Sequence, residues 1–156
     1  MQRRFLDSFR ADVGVEQDGA SRWWELPADE PYLWTYLTHH LAAARAGCAG
    51  GGELDRLPGD LRWAVAQLER SGPAVLDADL ARSASAWARR LRHHCAQTAH
   101  LFTAVEPSHG LAVTLLSRLH GDEMFAAAVE RYRAGAAGVY VFTYRPGHPH
   151  LLDPDS

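Results

Sequence analysis

Residues 27–47 read PADEPYLWTYLTHHLAAARAG. Leu33, Trp34, Leu37, Leu41 and Ala44 recur at spacings of three and four. That is the stripe one face of an α-helix makes at about 3.6 residues per turn. Asp29 stands where an N-cap carboxylate can accept a backbone N–H. Pro31 suits the first turn, where its missing N–H leaves no bond unmade. Gly47 ends the pattern, and CAGGG at 48–52 reads as a turn. The stretch predicts a helix buried along one side, which needs other helices or a sheet to cover it.

The flanking sequence supplies helices. Phe5, Leu6 and Phe9 put one over residues 2–12, and 13–28, rich in Gly, Asp and Ser, reads as a loop whose Trp23–Trp24 pair folds back onto a helix. Leu54 and Leu57 mark a short helix stopped by Pro58–Gly59. Asp60 caps LRWAVAQLERSG, with Leu61, Ala64, Val65 and Leu68 inward, and Gly72–Pro73 stops it. Val75, Leu76 and Leu80 belong to another short helix, residues 83–105 form the longest, and 108–120 form the next, with Leu111, Leu115, Leu116 and Leu119. Asp122 is placed to cap a last helix bearing Phe125, Val129 and Tyr132 and ending near Gly135. Val139–Tyr144 is β-branched and aromatic, which favours an extended chain, and the three prolines after it suit a tail. The expected fold is therefore all-α: seven to eight short helices in an antiparallel helical array or helical-hairpin stack over 1–135, with an extended segment and tail over 136–156.

Composition excludes several functions. The chain has 156 residues, 47% hydrophobic and 22% charged, which suits one domain with a real core. Its sixteen basic residues are all arginine, so the lysine of a phosphate-binding P-loop is absent. A net charge of −3 argues against a bulk nucleic-acid binder. No apolar run approaches the roughly 18 residues a membrane span needs. The charged N-terminus MQRRFLDSFRAD has no secretory apolar segment, so the expected location is the cytoplasm. Cys48 and Cys95 make no disulfide framework.

Two clusters carry candidate chemistry. Residues 88–100, ARRLRHHCAQTAH, hold His93, His94, Cys95 and His100; with His39 and His40 they are the candidate metal ligands. Their spacing is poor for a shared ion. His93 and His100 lie seven residues apart, about 10 Å along a helix axis, whereas ligand bonds are about 2.0–2.3 Å long. At about 100° per residue, Ala84, Trp87, Ala88, Leu91, Thr98, Leu101, Phe102 and Val105 share a core face. His94 and Cys95 fall at its edges, while His93, Gln97 and His100 face away. A metal-dependent activity would need the His39–His40 and His93–His94–Cys95 clusters to converge. The second cluster is a strip of Arg89, Arg90, Arg92, His93 and His100, a candidate surface for a phosphate, an RNA backbone or an acidic partner. No G-x-S-x-G elbow or paired-carboxylate arrangement is present, and no cofactor is expected. Trp34, Trp63 and Trp87 adjoin apolar stripes and are expected to pack in the core.

The order of motifs resembles a known domain. RRFLDSFRAD, a Trp-containing loop, DEPYLWTYLTHHLAAARAG, ELDRL, DLRWAVAQLERSGPAVLDADL and AHLF…EP…LAVTLLSRL follow one another over roughly residues 2–120. The sequence is similar to the helical domain of bacterial-type STAND (NB-ARC/WD-repeat) signal-transduction NTPases related to the apoptotic protease-activating factor, most specifically at Tyr32–Leu41. The resemblance implies a non-enzymatic regulatory arm that lies between a nucleotide-binding region and a WD-repeat or other sensor and acts through packing surfaces. It implies structural roles for Tyr32, Leu33, Leu37, His40 and Leu41, assigns no chemistry to His100, and makes neighbouring domains or a protein partner the expected contacts.

Overall fold

The helix expected at the centre of the sequence forms as α2, Pro31–Arg45, and buries Leu33, Trp34, Leu37, Thr38, His40 and Leu41. The computed structural model describes residues 2–45, 52–102 and 109–136. Within them lie α1 (Gln2–Arg10), α2, α3 (Glu53–Arg56), α4 (Leu61–Ser71), α5 (Pro73–Leu80), α6 (Ala86–Phe102), α7 (His109–Leu119) and α8 (Ala126–Ala136). The described residues hold no β-strand, only an isolated antiparallel bridge between Val15 and Ser21. The all-α array of eight short helices is thus the observed architecture. The turn at 48–51, the end of α2 at Gly47 and the extended segment from 137 onward lie outside the described residues.

The α4 helix is the hub. It packs against α5, α7 and α8, and each consecutive pair from α4 to α8 is in contact, while α1 and α3 both pack against α2. Its sequence explains the position. Leu61, Trp63, Ala64, Val65, Gln67 and Leu68 are all buried, so the helix is covered around most of its circumference. Its start follows the expected rule, because the Asp60 carboxylate accepts the Arg62 backbone N–H at 2.9 Å. Its end is Gly72, whose φ of +82° is a conformation L side chains rarely adopt. That one residue caps α4 and opens α5, so the two helices meet with nothing else between them.

Packing closes the core around fully buried Leu6, Leu33, Leu61, Leu68, Leu76, Leu80, Leu91, Leu115, Leu119, Trp23, Trp63 and Phe125. Each such leucine contributes about 1.5–3 kcal/mol relative to an exposed one. The loop after α1 joins this core because Trp23 is 0% exposed, as expected for an aromatic pair folding back. A short 3-10 turn at Trp23–Glu25 presents it.

Three local expectations need correction. Asp29 does not sit at the cap of α2; the helix opens at Pro31, so Glu30 takes that place and its carbonyl accepts the Trp34 N–H at 3.4 Å. The longest helix starts at Ala86, not at residue 83. Asp55 accepts both the Ser83 hydroxyl and the Ala84 N–H, which holds those residues off the helix, and the Ser85 hydroxyl accepts the Ala88 N–H in the capping role. Asp122 closes a turn, accepting the Met124 N–H at 3.0 Å, and α8 begins only at Ala126. No helix among the described residues is long and apolar enough to cross a membrane.

Candidate functional site

The two histidine pairs are engaged by different neighbours. On α2, His39 is exposed and His40 is 7% exposed. The His40 ring lies 4.6 Å from that of Phe5, and its Nε2 is 3.2 Å from the Tyr32 hydroxyl. Burial, and secondarily the neighbouring His39, lowers its pKa, so this imidazole is held neutral. On α6, His93 and His100 are exposed and His94 is partly buried at the edge of the core face, as the helical phasing predicts. Its Nε2 is 2.7 Å from Asp122 Oδ2, and its ring meets Phe125 edge-on at 6.2 Å. An ionised carboxylate only accepts, so Nε2 carries the proton in this pair. Asp122 also accepts from Arg90 Nε at 2.6 Å. The His94 hydrogen bond, then that of Arg90, brings Asp122 down to about 2.

Cys95 falls further inside than an edge position. It is 4% exposed, and burial, helped by the Asp77 charge, pushes its thiol up to about 12. It is a core residue with a protonated sulfur, since the helix rotates it onto the face of Leu91 and Thr98. Among the described residues no group of three or more His, Cys, Asp or Glu side chains converges as metal ligands.

The arginine strip of α6 is largely paired within the chain. Arg92 makes two hydrogen bonds to the Asp77 carboxylate, at 2.8 and 3.0 Å, and this lowers the Asp77 pKa. Arg90 is held by Asp122, and Arg89 donates to the Ala84 carbonyl at 2.9 Å. Arg92 and Asp77 are both nearly half exposed, so their pair contributes little, about 0–1 kcal/mol. Its structural effect is to pin α6 against α5. His93 and His100 stay exposed beside these pairs.

A larger feature escapes inspection of the sequence. A cleft of about 800 Å³ opens where the loop after α1, α3, the start of α4, α6 and α8 meet. Trp23, Trp24, Leu57 and Trp87 line it, together with carboxylates and Arg56, Arg62 and Arg131. Its wall is built by specific contacts. The Trp23 indole donates to Glu53 Oε1 at 2.9 Å, tying the loop to α3. The Arg62 guanidinium lies 3.7 Å from the centre of the Trp24 ring, a close cation–π stack, and is steered by Asp60 and Glu16. Trp87 stands edge-on to Phe125 at 5.0 Å and faces Gly59, where a Cβ would come to 3.4 Å from the indole. Trp34 and Trp63 are core residues as expected, but Trp87 is only partly buried and belongs to this cleft. The Trp23–Trp24 doublet was the only signal in the sequence, because the remaining residues come from five separate segments.

Compared with protein-family models, curated proteins and solved structures, the chain finds no match.

Proposed function

We propose that this chain is a non-enzymatic helical interaction module, an arm of the kind that links nucleotide-binding and sensor regions in STAND NTPases, and that it acts through packing surfaces. The observation that carries this reading is the outer face of α2. Tyr32 and Tyr36 are 50% and 46% exposed, one helical turn apart, with ring centroids 4.9 Å from each other. Phe5 braces Tyr32 edge-on at 6.1 Å, so the face is fixed from behind by α1. Tyrosine supplies a large contact area at low entropic cost, and it is enriched where binding energy concentrates. The pair also falls inside Tyr32–Leu41, the stretch on which the family resemblance is most specific. A neighbouring protein domain is the contact this face suits.

Site-specific photo-crosslinking tests the reading. A benzophenone amino acid at position 36 is expected to give one discrete protein adduct in cells of the source, mapped to a defined peptide. That adduct should fade when Tyr32→Ala is added, and the same probe at exposed Ser117 should not give it. Equal adducts at both positions, or tight ATP binding by this chain alone in calorimetry, would overturn the proposal.

A further inference from the structure

We infer that the outer face of α2 pairs with the same face of a second copy of this chain, the two helices running antiparallel about a twofold axis. The inference rests on the reading of that face as an interaction surface and names its partner. The first observation is the absence of charge. No Asp, Glu or Arg occurs from Pro31 to Ala44, yet Tyr32, Thr35, Tyr36, His39 and Ala43 are exposed. An exposed helix face ordinarily carries charge, as α6 does at Arg89 and Arg90. A surface patch whose centre loses charge and gains tyrosine has the composition of an interface core. Tyr32, Tyr36, His39 and Ala43 also alternate spacings of four and three, the seam one helix presents to another. That seam runs about 16 Å along the helix.

The second observation is that the seam is complementary to itself. Turned end for end about the midpoint between Leu37 and Thr38, Tyr32 comes opposite the second copy's Ala43, and Tyr36 opposite its His39. The large ring of Tyr32 then meets the smallest side chain of the seam, at both ends. The same rotation brings Glu30, which makes no ion pair among the described residues, opposite Arg45. Arg45 holds Asp55 at 3.1 Å and is 39% exposed, so its guanidinium keeps donors for a second carboxylate. A parallel pairing would instead set Glu30 against Glu30 and Tyr32 against Tyr32, with the two helix dipoles side by side in the same sense. A twofold contact requires one patch that fits its own copy. A helix from an unrelated domain would need no such match within α2. Phe5 holds Tyr32 from behind, so the seam is presented already formed. A contact of about three turns lies at the small end of specific interfaces, and a dissociation constant of about 10–100 µM is expected.

Sedimentation velocity of the whole chain over about 5–500 µM brackets that range. The mass should rise with concentration from 17.2 kDa toward twice that value. Tyr36→Glu puts a charge into the seam of each copy. It should weaken pairing about tenfold or more at unchanged melting temperature, since position 36 is 46% exposed. Glu30→Arg and Arg45→Glu should each weaken self-association, because like charges then meet at both ends of the seam. An equal mixture of these two variants should pair more tightly than either alone, since opposite charges then meet again. Circular dichroism checks that each variant keeps its helix content. A mass that stays at 17.2 kDa throughout, a Tyr36→Glu chain that pairs like wild type, or a mixture that pairs no better than its parts would overturn the assignment. A monomer whose position-36 probe captures a different protein rejects the second copy and leaves the α2 surface standing. A monomer with no adduct at that position rejects both.

Discussion

The Thr38 hydroxyl donates to the Asp79 carboxylate across 2.6 Å, fastening α2 to α5 inside the core. Gln67 of α4 donates to the same carboxylate at 2.8 Å and to the Trp34 carbonyl at 3.0 Å, and Arg82 adds a bond at 3.0 Å from the rim. Three helices thus share one buried charge that is 3% exposed. Buried polar groups are tolerated when they are bonded, and they then specify how helices dock. Among the buried side-chain polar atoms of the described residues, only Gln67 Oε1 is left without a partner.

Replacing Asp79 by Ala should cost about 2–4 kcal/mol in a denaturant titration, because it strands the Thr38 and Gln67 donors. The pH dependence has a definite sign. Burial raises the Asp79 pKa despite its hydrogen bonds, so the folded state holds the proton more tightly than the unfolded one. The contribution of this group is then largest at low pH. It falls as pH rises from the unfolded value of 3.8 through the higher folded value, and is flat above that. The stability difference between wild type and Asp79→Asn should decline over that window. A difference that grows with pH would contradict the assignment.

Asp122 should behave oppositely. Its folded pKa of about 2 lies below the ordinary value of 3.8, so its contribution is present above pH 3.8 and lost as pH falls through 2. Carboxyl chemical shifts should show a midpoint near 2, and His94→Ala should move that midpoint upward, because the His94 bond is the largest cause of the depression.

Cys95 should resist alkylation in the native state. With a pKa of about 12, the thiolate fraction at pH 8 is roughly one in ten thousand, and the sulfur is also shielded. Peptide mapping after iodoacetamide treatment should find Cys95 unmodified until denaturant is added. Rapid labelling in native buffer would mean α6 is rotated from the described phase.

Core and surface of α6 and α2 should separate cleanly. Leu91→Ala and Leu37→Ala, at 0% and 2% exposure, should each cost about 2–5 kcal/mol. His93→Ala on the exposed face should change stability by less than about 0.5 kcal/mol. A circular-dichroism melt should be the same with and without a strong chelator. Loss of cooperativity on chelation would bring the histidine clusters back as metal ligands.

The helices were legible because their signals are local. The stripe of Leu33, Trp34, Leu37 and Leu41, the cap at Asp60 and the stop at Gly72–Pro73 each lie within one or two turns of chain. The structure departs from the local pattern where a distant residue competes for a local group. Asp55 draws Ser83 and Ala84 out of the helix that their sequence continues. Asp122 was readable as a cap but not as the partner of His94 and Arg90, since those bonds span 28 and 32 residues. The arginine strip looked like a free cationic surface for the same reason. Its counter-charges at Asp77 and Asp122 sit on other elements, and only tertiary packing reveals them. The cleft was the least legible feature, being assembled from side chains that share no periodicity.

The Gly72 turn sets an order of events as well as a shape. Gln67 and Asp79, on either side of it, are 12 residues apart, whereas Thr38 reaches Asp79 over 41. Closing the longer loop costs more chain entropy, which grows with the logarithm of its length. We expect the hairpin of α4 and α5 to assemble first and α2 to be latched on afterward, so α2 should come away before α4 and α5 part. Native-state hydrogen exchange would register this as lower protection for α2 amides than for those of α4. The same opening would carry Tyr32 and Tyr36 with it, so a domain bound to that face would hold the latch shut.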